Sequence, residues 1–330
     1  MSNTTTAKKG FKDSLSKFTK SYNFSLIIAL AAIVIVATIS SPYFFTVNNI
    51  MNIGLTAAVS GTMAAGLTVY MLMGALELSQ YAIAALSATC IGIFNVNMGI
   101  PAPVAVLMGL VIAALCGCLN ATLLTVGKIP PIIVTLGTMN VFRGIAYALT
   151  NARNVVLQDP LFRFIGQKRL FGVLPVPFLV MLIVFLICGF LLSRTKFGRQ
   201  VYATGANPRA AHLSGIPVQK IRFISMVMAS VGAGIAGILS AAQVMTAMPA
   251  LGNGSEVEIT TAVLVGGLSL GGGRGKISGV FLGLFILMTI NNALTLHSVP
   301  SYYQQMIRGA VLLLAVLIDT IRGGGFNDRG

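Results

Sequence analysis

Long apolar blocks recur along this chain, separated by short polar or glycine-rich breaks. Each is close to the roughly 20 residues that an α-helix needs to cross a bilayer. The blocks predict helices over about 23–41, 48–73, 78–96, 103–126, 130–149, 175–193, 220–246, 256–271, 277–296 and 302–321. Barrel strands alternate and are short, which these runs are not, so an all-α integral membrane fold of about ten transmembrane helices is expected. Pro130-Pro131 suit a helix start, and Gly54, Gly61 and Gly66 permit close packing or a break in the second helix. The block 256–271 is short. Two larger polar stretches interrupt the pattern, 150–174 and 194–219. Neither can hold a catalytic domain, so residues 1–330 are expected to form one membrane domain, with 1–22 as a polar N-terminal segment.

Ten helices put both termini on one side of the membrane, and the cations choose the side. With the N-terminus inside, inner segments carry Lys8, Lys9, Lys12, Lys17, Lys20, Lys128, Arg194, Lys196, Arg199, Arg209, Lys220, Arg222, Arg274, Lys276, Arg322 and Arg329. Outer segments carry only Arg153, Arg163, Lys168 and Arg169, sixteen against four. Lys and Arg accumulate on cytoplasmic loops, so both termini are expected in the cytoplasm. Helices 2–5 and 7–10 form two blocks of four, offset by five. They therefore run in opposite senses and, as repeats, would be inverted repeats.

Composition agrees with the pattern. Of 330 residues 56% are hydrophobic and 9% charged, with a mean hydropathy of +0.89. Soluble domains carry about 25% charged residues. The net charge of +15 does not imply nucleic acid, because the cations sit at the ends of apolar runs. No cleavable signal peptide is evident. Cys90, Cys116, Cys118 and Cys188 lie inside apolar runs without metal or redox spacing.

Candidate chemistry is sparse. The chain has seven acidic residues, and Glu77, Glu256, Glu258 and Asp319 lie in or beside apolar spans. Buried ionisable groups in membranes often line a pathway; the plainer reading places each at a solvated helix end. Glu77 with Ser79 follows helix 2, Glu256 and Glu258 open helix 8, and Asp319 ends helix 10. Asn291 and Asn292, then Gln304 and Gln305, either bond neighbouring helices or line a hydrophilic route. Arg308 needs a partner or a path to water. "GGLSLGGGRGK" (266–276) fails as a phosphate loop, because Ile277 stands where Ser or Thr is needed. It reads as a helix unwinding through glycines into a turn. With His212 and His297 alone, no metal site or hydrolytic constellation exists, and no enzyme activity is expected.

The polar insert 194–219 contains "GANPRAAHLSGIPVQK" (205–220). Asn207 suits an N-cap and Pro208 the first helical position. Gly215 suits a left-handed helix stop, and Pro217 blocks resumption. A short helix over about 208–214 is predicted, with Arg209, Ala210, Ala211 and Leu213 on it. The small Ala210 and Ala211 would let a partner approach closely. So short a helix is unstable alone and needs a surface to pack on. That surface is a cytoplasmic partner's groove or the chain's own membrane domain.

Ala210-Ala211-xxx-Gly215 resembles the EAAxxxG loop of ATP-binding-cassette (ABC) importer permeases. "TKFGRQVYATGANPRAAHLSGI" (195–216), "GALELS" (74–79), "GSEVEITTAVLVGGLSLGGGRGKISG" (254–279) and "NNALTLHSVPSYYQQMIRGAVLLLAVLID" (291–319) are similar to the ribose/galactose-type sugar permeases of that class. The four motifs fall in order over nearly the whole chain. Arg209 departs from the motif's Glu, Glu77 from an Asp, and Gln80-Tyr81 from a small Val-Gly pair. The resemblance implies a multi-pass protein of the bacterial cytoplasmic (inner) membrane. It implies that Asn207, Pro208, Arg209, Ala210, Ala211, Leu213 and Gly215 form a coupling helix for a separate ATPase subunit, often a fused tandem. ATP and Mg would be bound by that subunit, and this chain would hold no cofactor. A second permease chain and an extracytoplasmic sugar-binding protein complete the implied assembly, whose cargo is a monosaccharide or polyol. An ion-coupled secondary transporter is the rival, and it gives no reason for the insert.

Overall fold

The structure is a computed structural model that describes residues 22–322; the polar N-terminal segment and its five lysines lie outside the described residues. Thirteen α-helices account for most of the described chain. In chain order they are α1 (Tyr22–Ser40), α2 (Val47–Met71), α3 (Gln80–Gly92), α4 (Ala102–Thr125), α5 (Pro131–Thr150), α6 (Pro160–Gln167) and α7 (Val176–Arg194). Then follow α8 (Lys196–Ala206), α9 (Pro208–Leu213), α10 (Val218–Val244), α11 (Glu256–Val265), α12 (Ile277–Leu296) and α13 (Ser301–Arg322). Two minimal antiparallel pairs join β1 (Val155–Val156) to β4 (Thr246–Ala247), and β2 (Arg169–Leu170) to β3 (Leu174–Pro175).

Eight of the described helices are long and apolar enough to cross a membrane. The chain is thus an all-α integral membrane protein. Of the ten expected spans, α3 and α11 fall short. α3 starts only after an irregular connector, 72–79, and passes at its other end into a single π-helical turn, Ile93–Asn97. α11 stops at Val265, not near 271, because Gly266 and Gly267 and then Gly271–Gly273 weaken helix propagation. The 150–174 stretch, expected only to be polar, contains α6. The insert holds two helices rather than one.

α2 and α10 form the centre. Each presents a wall of small residues, Ala57, Ala58, Ala64 and Ala65 on one and Ala229, Ala233 and Ala236 on the other, all buried. Small side chains let helix backbones approach in a medium where apolar burial between helices gains little. Gly66 faces Ala229, and the Gln243 amide bonds the Leu55 carbonyl at 3.0 Å, so the two helices run antiparallel. α10 packs on α3 and α4, while α2 packs on α11 and α12. α5 then rests on α3 and α13 on α11. Each block of four therefore packs its first helix against the other block.

This packing gives the bundle two ends. The insert end gathers α8 and α9, the connector 72–79 and the glycine loop 266–276. The far end gathers 150–174 and the α10–α11 connector, which meet in the β1–β4 pair.

Candidate functional site

Buried charge collects toward the far end, where α2, α5, α11 and α13 converge. Glu258, in the first turn of α11, is buried; its Oε2 accepts from Arg308 Nη1 of α13 at 2.6 Å, and its Oε1 accepts from Ser60 Oγ of α2 at 3.4 Å. Tyr81 of α3 is buried beneath Gly252, with its hydroxyl toward Ser60. Arg143 of α5 reaches the same connector. Its Nη1 donates to the carbonyls of Pro249 (3.0 Å) and Leu251 (2.5 Å), and its Nη2 lies 3.8 Å from Glu256 Oε1. Glu256 also accepts from Gly254 N at 3.1 Å. Two acids and two arginines from three helices thus form a polar belt among apolar surroundings. Such pairs are costly to bury and are kept where an aqueous route or a moving contact needs them.

The other sequence-predicted polar residues divide. Gln305 donates to Gly254 O at 3.4 Å and so joins the rim of the belt, whereas Gln304 caps Val299 O at 2.9 Å. Asn292 is taken up in a reciprocal amide pair with Asn49 of α2, both bonds 2.8 Å, which ties α12 to α2 away from the belt. Asn291 precedes it on α12, half-buried and outside the belt's bonds.

Glu77 and Ser79 lie at the opposite end. Glu77 is buried in the connector between α2 and α3; its Oε1 accepts from Ser79 N at 2.8 Å and from the Ser79 hydroxyl. Asn120 Nδ2 of α4 donates to that hydroxyl at 3.1 Å. No cation is paired with Glu77 among the described ion pairs. It belongs to the packed connector, not to the belt.

The insert is built largely as its residues predict. Asn207 Oδ1 accepts from Ala210 N at 3.0 Å, Pro208 opens α9, and Gly215 takes the left-handed conformation at φ +80°. α9 ends at Leu213. Arg209, Ala210 and Leu213 are exposed, the last at 87%. Ala211 differs from expectation. It is buried, facing the chain's own α8 and α10, so it seats the helix and offers no surface to a partner. α8 provides that seat. Its Gly205 is pressed so tightly on the Leu72 carbonyl and Gly273 that any Cβ would collide with backbone. Gly273 N donates to Leu72 O at 2.7 Å, and Tyr202 of α8 donates to Gly275 O at 3.0 Å. The insert is therefore fastened to both irregular segments of the insert end.

Residues 49–316 match the family profile described as "Branched-chain amino acid transport system / permease component". The chain belongs to this family. It is similar to the ribose import permease protein RbsC of Escherichia coli (strain K12), 38% identical over 299 residues, covering 89% of this chain and 92% of the relative. It is similar to RbsC of Bacillus subtilis (strain 168) at 37% identity, covering 88% and 91%. The L-arabinose transport system permease protein AraH of Escherichia coli (strain K12) is 33% identical, covering 97% of each chain. No solved structure matches. The family is one of permease components, so this chain is a transport subunit rather than an enzyme.

Sequence reasoning overlooked Arg143, Ser60, Asn120 and α8. Arg143 carried a legible signal, a cation in the middle of an apolar run. Ser60 and Asn120 carried none, because a lone Ser or Asn in a span gives no direction.

Proposed function

We propose that this chain is the transmembrane subunit of an ABC importer and forms the route for a monosaccharide or related polyol. The observation that carries this reading is the insert. A capped short helix presents Arg209 and Leu213 outward while its inner face packs on α8 and α10, and α8 is fastened to the connector 72–79 and the glycine loop. A partner's movement applied to α9 has a firm path into the bundle. An exposed leucine beside an arginine fits the groove of a partner protein. Asn207, Pro208, Arg209, Ala210, Leu213 and Gly215 form the coupling helix, with Ala211 as its inward anchor.

The insert end faces the cytoplasm, since Arg194, Lys196, Arg199, Arg209, Lys220, Arg222, Arg274 and Lys276 all belong to it. α3 and α11, completed by their connectors, count as the two short spans of ten. An ATPase subunit docks below and binds ATP and Mg. A sugar-binding protein delivers cargo to the far end, and a second permease chain completes the pathway. The cargo class rests on the relatives, named for ribose and arabinose, that cover most of the chain. Glu256, Glu258, Arg308 and Gln305, with Arg143, line or gate that route.

The test is co-purification in mild detergent with identification of bound proteins. An ATPase subunit is expected with the native chain and absent with Leu213→Asp or Gly215→Trp. Purification of the chain without an ATPase, even after cross-linking, would overturn the reading in favour of an ion-coupled carrier.

A further inference from the structure

Asp319 reads from sequence as a solvated helix end. In the structure it holds the glycine loop. Its Oδ2 accepts from Leu270 N at 3.0 Å and from Ser269 Oγ at 3.2 Å. Both donors sit where the loop turns back on itself: Ser269 Oγ also accepts from Gly271 N at 3.2 Å, and Ser269 N donates to Arg274 O at 3.2 Å. A few residues on, the same loop is gripped by α8 through Tyr202 and Gly205 and by the 72–79 connector through Leu72.

α13 has few other anchors. Its extensive packing is on α11 alone, and none of its described residues is buried. Its other charged contact is Arg308 on Glu258. Asp319 lies eleven residues after Arg308. That separation is about 16 Å along a helix and about three turns, so both side chains project from the same face. One face of α13 thus carries a clasp to the glycine loop at one end and a buried ion pair at the other.

We propose that Asp319 is a positioning residue that transmits movement of the coupling insert to α13. Displacement of α8 and α9 carries the glycine loop, the loop carries Asp319, and α13 then moves the Arg308–Glu258 pair across the route. Asp319 touches no cargo. The inference rests on the ATPase-coupling reading of the insert.

The test uses the complete transporter with its ATPase, and ATP with Mg as the only added ligand. Nitroxides at the exposed positions 302 of α13 and 167 of α6, with Cys118 replaced by Ser, report α13 against the bundle by electron-spin distance measurement. ATP is expected to shift the distance in the otherwise native chain. In Asp319→Ala the shift is lost, while the ATPase still co-purifies and still hydrolyses ATP. Asp319→Glu restores the shift. Asp319→Leu, similar in size and unable to accept either bond, carries the test where the alanine variant fails to assemble. A shift that persists in Asp319→Leu or Asp319→Ala overturns the proposal, as does a native chain whose distance ATP leaves unchanged. The coupling reading fails separately, if the native chain purifies without an ATPase or if Gly215→Trp retains it.

Discussion

At the insert end the parts meet largely through backbone, Gly273 N on Leu72 O and Gly205 against that same carbonyl, with the Tyr202 hydroxyl on Gly275 O beside them. At the far end they meet through long charged side chains, Arg308 on Glu258 and Arg143 on two carbonyls of the α10–α11 connector. Backbone contacts between close-packed segments have little slack and pass displacement on. A buried ion pair has discrete made and broken states, and its balance shifts when one partner helix moves. The difference teaches a division of structure, with a close-packed clamp at the insert end and a breakable charge belt at the far end; on the proposed function, force enters at the first and cargo passes the second.

The largest expected effect comes from breaking the belt. Arg308→Ala leaves Glu258 buried and unpaired, a loss of about 3–5 kcal/mol by the usual cost of orphaning one partner. Thermal unfolding in detergent measures it. Replacing both partners, Arg308→Met with Glu258→Leu, should recover most of that stability but not uptake. Native uptake in the double variant would show that the pair only holds the fold, and the contrast between the ends would lose its functional half.

The clamp is probed next by Gly205→Ala. The added methyl collides with the Leu72 carbonyl and forces α8 away from the connector. Overpacking of this kind costs about 1–3 kcal/mol. The telling readout is ATP hydrolysed per solute imported, which should rise sharply. An unchanged ratio would mean that the contact transmits nothing. Asn207→Ala is milder. It removes the cap bond to Ala210 N and should cost about 1 kcal/mol of local helix stability, read as faster amide exchange in α9 alone.

How much of this was legible in the sequence differs by end. The long spans were visible because apolar runs of bilayer length admit few other readings. Eight predicted blocks became helices with ends displaced by only a residue or two, among them 103–126, which became Ala102–Thr125. The cap and stop of α9 were visible because Asn207, Pro208 and Gly215 act on their own backbone. α8 was not, because "KFGRQVYATGA" has too few apolar residues to announce a helix and is held by tertiary contacts at Tyr202 and Gly205. The belt was half visible. The acids stood out in an apolar chain, but their pairing with Arg308 and Arg143 spans many residues, and only packing decides it. Of the readings left open by the sequence, Asn292 takes the helix-bonding one, on Asn49, and Ala211 packs inward on its own chain.

The smallest expected effect tests whether the insert end is free of working charge. Glu77 has the burial of Glu258 but only hydrogen bonds around it, from Ser79 directly and from Asn120 through the Ser79 hydroxyl. Glu77 is expected to be neutral, a prediction from the cost of burying an unpaired carboxylate. Gln is nearly isosteric with that neutral acid, and its amide oxygen can accept the same two bonds. Glu77→Gln should therefore shift stability by no more than about 1 kcal/mol, the net worth of one hydrogen bond, and leave transport intact. Glu77→Ala orphans the Ser79 N–H and should cost more, about 1–3 kcal/mol. The carboxyl stretch of a protonated acid in infrared difference spectra, lost in Glu77→Gln, identifies the form directly. If Glu77→Gln instead abolished uptake while the fold and ATPase association survived, Glu77 would be a working charge, and the belt at the far end would have a counterpart at the clamp.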